Sequence, residues 1–294
     1  MCVAALVSCV ALGGGCPESL DWSGAYEFAP GMRHLHITLD DPRLMENYMV
    51  RVDLHTPGLR VTGTGRASNW GDQMPDVTNR IVQIDTRRRK VRDFLEEHRA
   101  HGTNMVLAVN TAAWSPWEPP FTHSYARLHH LAVLNGTVVS HTTKRGPMLV
   151  VFTNNVAVVT NALDDADIPS VAIAHPGFGI VLRNGEPTSK RAKDRPAKLA
   201  PRTALGISAD GRYLYVLVVD GRQQGYSHGA DMVDLALLLK AAGAWNGINV
   251  DGGGSSTLVR WDDAKGEVVV DNRHDPRRLY YRNVAVCLGF YLAR

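Results

Sequence analysis

The sequence predicts an α+β fold, a strand-dominated mixed sheet with two main helices packed on it. Short apolar or alternating runs recur along the chain, separated by turn signals. The 27 Gly and 15 Pro among 294 residues favour a turn-rich, strand-rich protein over a helical bundle. Only two segments combine helical periodicity with a cap and a stop.

In chain order, Val50–Leu54 alternates and meets Thr56-Pro57-Gly58, a strand followed by a turn. Thr86 fits the cap of a helix reaching about His101, with Val91, Phe94, Leu95 and His98 on one face and Gly102 as its stop. The Arg87-Arg88-Arg89-Lys90 run reads as a solvated face. Met105–Val109 is a buried strand. Short strands follow at Leu131–Leu134, Val138–Val139, Met148–Phe152, Val156–Val159 and Gly179–Arg183, with hairpin-type turns at Asn135-Gly136 and Asn184-Gly185. Leu205–Ser208 and Tyr213–Val219 pair through Asp210-Gly211. Asp231 caps a second helix, Met232–Ala242, which Gly243 stops. Ile248–Val250, Leu258–Trp261, Val268–Val270 and Val284–Phe290 complete the strands.

No internal repeat or linker divides the chain, so residues 17–294 read as one domain. Apolar residues make up 45% and charged residues 21%, which excludes a largely disordered chain. Lys plus Arg is 32 and Asp plus Glu is 29, and the net charge of +3 is too small to indicate a nucleic-acid partner. Three of the four cysteines, Cys2, Cys9 and Cys16, lie in an apolar N-terminal stretch, leaving Cys287 alone in the body. Residues 1–16 are expected to be a signal-peptide or lipoprotein-type leader, with membrane contact only through a lipid on a leader cysteine. The expected location is therefore extracytoplasmic, secreted or lipid-anchored. Asn135-Gly136-Thr137 fits a glycosylation sequon, though a chance match is the simpler reading.

The chemistry concentrates in Asn249-Val250-Asp251-Gly252-Gly253-Gly254-Ser255-Ser256-Thr257. A short apolar strand delivers an acid into consecutive glycines, which allow positive φ and close approach of other groups. Hydroxyls follow, and consecutive N–H groups can form an anion-binding nest. The pattern suits a sugar or phosphate oxygen held near a carboxylate. It is not a nucleophile elbow, because Thr257 stands where Gly must follow Ser255. It is not a Walker loop, since no Gly-Lys-Ser/Thr follows. Asp164-Asp165-Ala166-Asp167 lacks the rest of an EF-hand loop, and the 12 histidines show no HExxH spacing, so no metal ligand set is assigned.

Asp251-Gly252-Gly253-Gly254-Ser255-Ser256-Thr257, after a strand and a helix ending in Ala241-Ala242-Gly243-Ala244, resembles the signature of the phosphodiester glycosidase family. Other blocks are similar in the family order: Pro201-Arg202-Thr203-Ala204-Leu205-Gly206, then Val219-Asp220-Gly221-Arg222, Gly225-Tyr226-Ser227-His228-Gly229, and Ala108-Val109-Asn110. Tyr26 to Met32, Val52-Asp53-Leu54 and Arg282 to Gly289 fit more loosely. The resemblance implies a hydrolase that cleaves a glycosyl phosphodiester or a related glycan linkage. The alternative on the same scaffold is a non-catalytic carbohydrate-binding envelope protein.

Carried over by position, Asp251, Arg202 and Asp220 are the catalytic candidates. Asp251 fits a nucleophile, a general base or the stabiliser of an oxocarbenium-like state. Arg202 fits a bidentate grip on a diester oxygen. Asp220-Gly221 also fits a plain turn, and Asn249 a backbone cap. Asn110, Asn249, Gly252, Gly253, Gly254, Ser255, Ser256, Thr257, Ser227 and His228 are expected to contact a carbohydrate or glycosyl-phosphate substrate, while Tyr226 packs. No cofactor and no oligomeric state follow from these residues. The family pattern continues after Asn110 with small glycines and an aromatic, whereas Thr111-Ala112-Ala113-Trp114-Ser115-Pro116-Trp117 stands here. Trp114 and Trp117 fit either sugar-stacking faces or buried staples. The basic stretch Lys190, Arg191, Lys193, Arg195 and Lys198 fits a solvated loop or a cover over an anionic substrate.

Overall fold

The computed structural model describes residues 16–118, 122–190, 198–274 and 281–293. Its first part runs β1 (Tyr26–Ala29), β2 (Met32–Leu39), β3 (Met45–Asp53), β4 (Leu59–Gly63), β5 (Thr86–Arg87), α1 (Val91–Ala100), β6 (Met105–Asn110), β7 (Trp114–Ser115), β8 (Tyr125–Leu128), β9 (Val133–Leu134) and β10 (Thr137–Val138). It continues β11 (Met148–Phe152), β12 (Ala157–Thr160), β13 (Val171–Pro176), β14 (Gly179–Arg183), β15 (Glu186–Pro187), β16 (Arg202–Ile207) and β17 (Tyr213–Val219). The last elements are α2 (Met232–Ala242), β18 (Asn246–Asn249), β19 (Leu258–Asp262), β20 (Glu267–Val270) and β21 (Cys287–Leu292).

The α+β class and its two main helices are as expected. The strands divide among several sheets rather than one, and every pairing among the described residues is antiparallel rather than mixed. The largest sheet has the order β1-β2-β3-β17-β16-β18-β14-β15, and a second has β20-β19-β6-β21-β4. Side-chain alternation explains how they stack. Leu214, Val216 and Val218 of β17 meet Leu107 and Val109 of β6 and Leu288 and Phe290 of β21 in the central core. Tyr215, Leu217 and Val219 point the other way, onto Leu235, Leu238 and Leu239 of α2. On the far side, Val91, Phe94 and Leu95 of α1 pack on Ala108, Val259 and Cys287. Strands covered on both faces lose the polar alternation of a half-exposed strand, which is why β6 and β17 read as continuous apolar runs.

Asp231 caps α2 as expected. Its carboxylate accepts the Val233 and Asp234 N–H groups, the Asp234 carboxylate accepts the Asp231 N–H at 2.8 Å, and Gly243 ends the helix at φ 106°. Asp234 also pairs with Arg43. The expected Thr86 cap on α1 is wrong: Thr86 pairs with Ala126 in β5–β8, and Lys90 precedes the helix without a side-chain cap. The neighbouring Asp85 carboxylate explains this, because it accepts the Leu128 and His141 N–H groups at 2.7 and 2.9 Å and ties the segment into strand pairing. The Arg87–Lys90 run is not wholly a solvated face either, since Arg88 is buried. The Asn135-Gly136 and Asn184-Gly185 turns have both residues at positive φ, the twist a two-residue hairpin needs.

Cys16, Leu20, Trp22 and Ala25 pack on the α2 layer. The Leu20 N–H donates to the Ala241 carbonyl at 2.7 Å, and the Trp22 indole N–H to the Ala242 carbonyl at 3.1 Å. The rest of the expected leader, with Cys2 and Cys9, lies outside the described residues, as do Arg191, Lys193 and Arg195 of the basic stretch.

Asp231→Ala should lower the unfolding free energy by about 1 kcal/mol, the usual worth of an N-cap. Asp234→Ala should cost about 3 kcal/mol, because it also leaves the charge of Arg43 without its partner. Urea unfolding measures both, and the reverse order would count against this reading of the helix start.

Candidate active site

β18 ends at Asn249, and the chain turns at the rim of the central core. The Val250 N–H donates to the Thr203 carbonyl at 3.0 Å and the Asp251 N–H to the Thr111 carbonyl at 2.7 Å. Asn110, the last residue of β6, braces both ends of the following loop. Its Nδ2 donates to the Asp251 carbonyl at 2.6 Å, and its Oδ1 accepts from the Thr257 N–H at 3.0 Å and the Thr203 hydroxyl at 2.9 Å. Asn110 is fully buried, and these bonds engage both its amide nitrogen and its oxygen. Its position supports the loop rather than a sugar hydroxyl.

Each glycine of the loop faces one arginine. A Cβ on Gly252 would lie 3.7 Å from Arg202 Cδ and 3.0 Å from the Pro201 carbonyl oxygen. On Gly253, at φ 64°, it would lie 3.5 Å from Arg222 Nη1. On Gly254 it would lie 2.8 Å from Arg282 Nη2, closer than side chains tolerate. Consecutive glycines therefore let the guanidinium groups of Arg222 and Arg282 and the aliphatic stem of Arg202 close on one short backbone segment. The expected nest of free amides is largely absent. The Gly252 N–H goes to Asp251 Oδ1, that of Gly253 to Pro201, those of Ser255 and Ser256 to the Gly252 and Gly253 carbonyls, and that of Thr257 to Asn110. The positive charge at this loop comes from side chains.

Asp251 sits at the focus. Its Oδ1 accepts the Gly252 N–H at 2.9 Å, whereas Oδ2 is buried and has no partner at hydrogen-bond geometry among the described residues. Burial pushes the carboxyl up to about 6. The Ser255 hydroxyl, the Arg282 charge, the Gly252 N–H and the Trp114 indole pull it back without cancelling that rise. Arg282 also reaches the Ser255 hydroxyl at 3.4 Å and lies over the Trp117 ring at 4.5 Å. Trp114 is a buried staple: Arg88 lies 4.0 Å over its ring, and Trp117 meets it at right angles with centroids 5.5 Å apart. Trp117 is the outer ring, 54% exposed against 6% for Trp114.

Asp220 lies in a pocket that also includes Ser256, Asn272, Arg222, Arg273 and His274. Burial raises its carboxyl to about 6, against the pull of its hydrogen bonds. Oδ1 accepts Asn272 Nδ2 at 3.0 Å, and Oδ2 accepts the Arg273 N–H at 2.8 Å and the Tyr226 hydroxyl at 3.2 Å. Asn272 in turn donates to the Ser256 carbonyl at 3.2 Å and accepts the Leu258 N–H at 2.8 Å. Asp220 thus holds the groups that shape the pocket, while Asp251 carries the open oxygen. Ser227 is buried, and its hydroxyl donates to the Asp220 carbonyl at 2.6 Å. Tyr226, expected to pack, also bonds Tyr48 at 2.8 Å.

The remaining expected residues divide by position. Arg202 donates to the Ala230 and Lys198 carbonyls at 3.2 and 2.9 Å, and burial lowers its pKa. Asn249 is buried in register with Ala204, which belongs to the α2 layer, so it lies beneath the site. The Ser256 and Thr257 hydroxyls are buried without partners. His228 is exposed, and its carbonyl accepts the Arg222 N–H at 3.2 Å. Sequence reasoning missed Arg88, Gln223, Asn272, Arg273 and His274, and assigned no role to Arg222 or Arg282. The last two stand inside the blocks that carried the resemblance; the others carry no local signal, because distant strands deliver them.

Gly254→Ala should push the Arg282 guanidinium aside and remove a cation from Asp251. The Asp251 carboxyl should then titrate above about 6, as read by carboxyl-carbon NMR. An unchanged titration would show that Arg282 does not act on it.

The sequence profile of the phosphodiester glycosidase family matches residues 104–291. The fold is similar to the catalytic domain of zebrafish N-acetylglucosamine-1-phosphodiester alpha-N-acetylglucosaminidase, auto-inhibited by its pro-peptide, at 18% identity over 92% of this chain and 86% of that one, with a TM-score of 0.60. It is also similar to a hypothetical protein of Synechocystis, at 10% identity over 89% of this chain and 62% of that one, TM-score 0.54. A Burkholderia pseudomallei protein matches at 13% identity over 85% and 74%, TM-score 0.53. No curated protein sequence matches significantly. The matched stretch runs from the strand that ends in Asn110 through the glycine loop to the closing strand β21, and on that span the chain belongs to the phosphodiester glycosidase family.

Proposed function

We propose that the protein is a hydrolase cleaving the bond between a sugar anomeric carbon and the oxygen of a phosphodiester, with Asp251 as the reacting carboxylate. The observation that carries this reading is the buried, unpartnered Oδ2 of Asp251 beside a loop packed with guanidinium groups. An orphaned buried carboxylate oxygen costs stability unless something meets it, and a substrate or attacking water would do so. Asp251 attacks the anomeric carbon, with water then hydrolysing the glycosyl ester, or deprotonates a water that attacks directly; the C1–O bond breaks, and its electron pair leaves with the phosphate monoester of the alcohol. The developing charge on that phosphate falls near Arg282, whose charge already acts on Asp251, so its guanidinium stabilises the leaving group. Asn110 and Asp220 act as positioning residues. The apolar Val3–Leu12 stretch supports an extracytoplasmic location.

Asp251→Asn should reduce kcat on a sugar-1-phosphodiester by about 10²–10⁴-fold, the range for a lost acid–base group. Release of sugar from a panel of such diesters tests the reading. Saturable sugar binding with no turnover by the wild type would instead leave a carbohydrate-binding protein.

The kcat/KM of the wild type should rise with pH through about 6, where Asp251 ionises. Its folded-state pKa lies above the ordinary 3.8, so between those values the folded chain holds a proton that the unfolded chain has released. Ionising this group in the fold costs stability: the cost is absent below about pH 4 and complete above about pH 6. Asp251→Asn should therefore have a higher Tm than the wild type at pH 7, with the advantage gone by pH 4. A variant less stable than the wild type at pH 7 would refute the burial argument.

Deleting residues 1–15 should leave Tm and activity unchanged. Deletion through Ala25 should lower Tm by several degrees, because Leu20 and Trp22 leave the α2 layer. Loss of folding in the shorter deletion would overturn the leader reading.

A further inference from the structure

We infer that the pocket around Asp220, beside the glycine loop, is a second anion subsite, taking a phosphate carried by the alcohol portion of the substrate. The inference rests on the glycosyl phosphodiester reading above and deepens it by naming a substrate class.

Two differently furnished groups of side chains lie along the loop. Asp251 has Trp114, Ser255 and Arg282 around its carboxylate. Beside Gly253 and Gly254, the pocket is lined by Arg222, Arg273, His274, Gln223 and Ser256, with Asp220 among them. Asp220 brings one carboxylate, whose oxygens accept the Asn272 amide, the Arg273 N–H and the Tyr226 hydroxyl, so a single acid stands against two guanidinium groups in the pocket. Arg273 is held in place from two directions. Its N–H is fixed by Asp220, and its guanidinium lies 4.7 Å over the Tyr226 ring, which two hydroxyl bonds hold. Arg222 has φ 61°, a conformation uncommon outside glycine, and its guanidinium lies against Gly253.

One further atom marks the pocket as built for a ligand. Ser256 Oγ is buried, has no partner among the described residues and lines the pocket. The Ser256 hydroxyl can donate to an anion, and guanidinium groups match phosphate oxygens by their planar fork. A phosphodiester carries a single negative charge. Yet among the described residues Arg88, Arg202 and Arg273 make no ion pair with a carboxylate, their bonds going to carbonyls or an aromatic face. Two sets of cationic groups along one short loop fit a substrate with a second anionic group on the far side of the scissile bond.

The test uses the full-length protein and two diesters of one sugar-1-phosphate, with methanol or glycerol 3-phosphate as the alcohol. The wild type should show at least tenfold higher kcat/KM on the second. Arg273→Gln should lose at least tenfold more on the second than on the first, and Arg222→Gln repeats the test from another wall. Equal losses on both substrates would overturn the inference, since the pocket would then hold the diester phosphate itself. Calorimetry with inorganic pyrophosphate gives a readout independent of turnover: the wild type should bind it, and Arg273→Gln should weaken it at least tenfold. If neither diester is hydrolysed, the glycosyl phosphodiester reading fails, and this titration alone decides the subsite, unaltered affinity in Arg273→Gln overturning it.

Discussion

The site depends on how Asn110 holds the two ends of the glycine loop. One amide donates to the carbonyl where the loop begins and accepts from the N–H where it ends. Glycine-rich backbone carries the largest conformational entropy of any segment, so without this brace the loop would sample many shapes. Asn110 itself is fixed at the end of β6, a strand buried along its whole length between β19 and β21. The rigidity of the core is thus transmitted to the loop through two short hydrogen bonds rather than through packing of the loop itself.

With the backbone held, the missing side chains become the operative feature. Three adjacent positions without Cβ atoms let Arg202, Arg222 and Arg282 approach where any other residue would collide or strain. The charge of Arg282 partly offsets the cost of burying Asp251, whose carboxyl still stands near 6. Asp220 rises equally high although it accepts three hydrogen bonds, because it is deeply buried. Two acids with similar titration thus have different jobs. The distinction lies in unfilled hydrogen-bonding capacity: Asp251 has an open oxygen and Asp220 has none.

The segment after Asn110 shows how context changes a residue type. Trp114 and Trp117 are close neighbours in sequence, yet one is enclosed between Arg88 and its partner ring and the other faces outward. Arg88 belongs to a basic run that reads as a solvated face, but its guanidinium is sequestered by the His123 and Asn283 carbonyls. Burial lowers its pKa to about 10. Neither outcome has a local cause: both follow from β7 and β8 pairing and packing on Ala285 and Val286, just before β21.

Local physics made much of the fold legible. The Asp231 cap and Gly243 stop, the Asn-Gly hairpins, and the apolar runs of β6, β11, β14 and β17 all depend on residues within a few positions of one another. The acid–triglycine loop stood out for the same reason, since its composition has few purely structural uses. The short strands β5, β7 and β8 were not legible, because long-range pairing rather than propensity makes them strands, and Thr86 was misread as a helix cap on that account. The furnishing of the site belongs to tertiary structure alone. Asn110, Arg222, Asn272 and Arg282 come from separate stretches of chain, and only the stacking of two sheets brings them around Asp251 and Asp220. The sequence by itself determined which loop is chemically special, because glycine and aspartate act locally. Which oxygen is left open, and which charges surround it, was decided by burial and distance across the folded core.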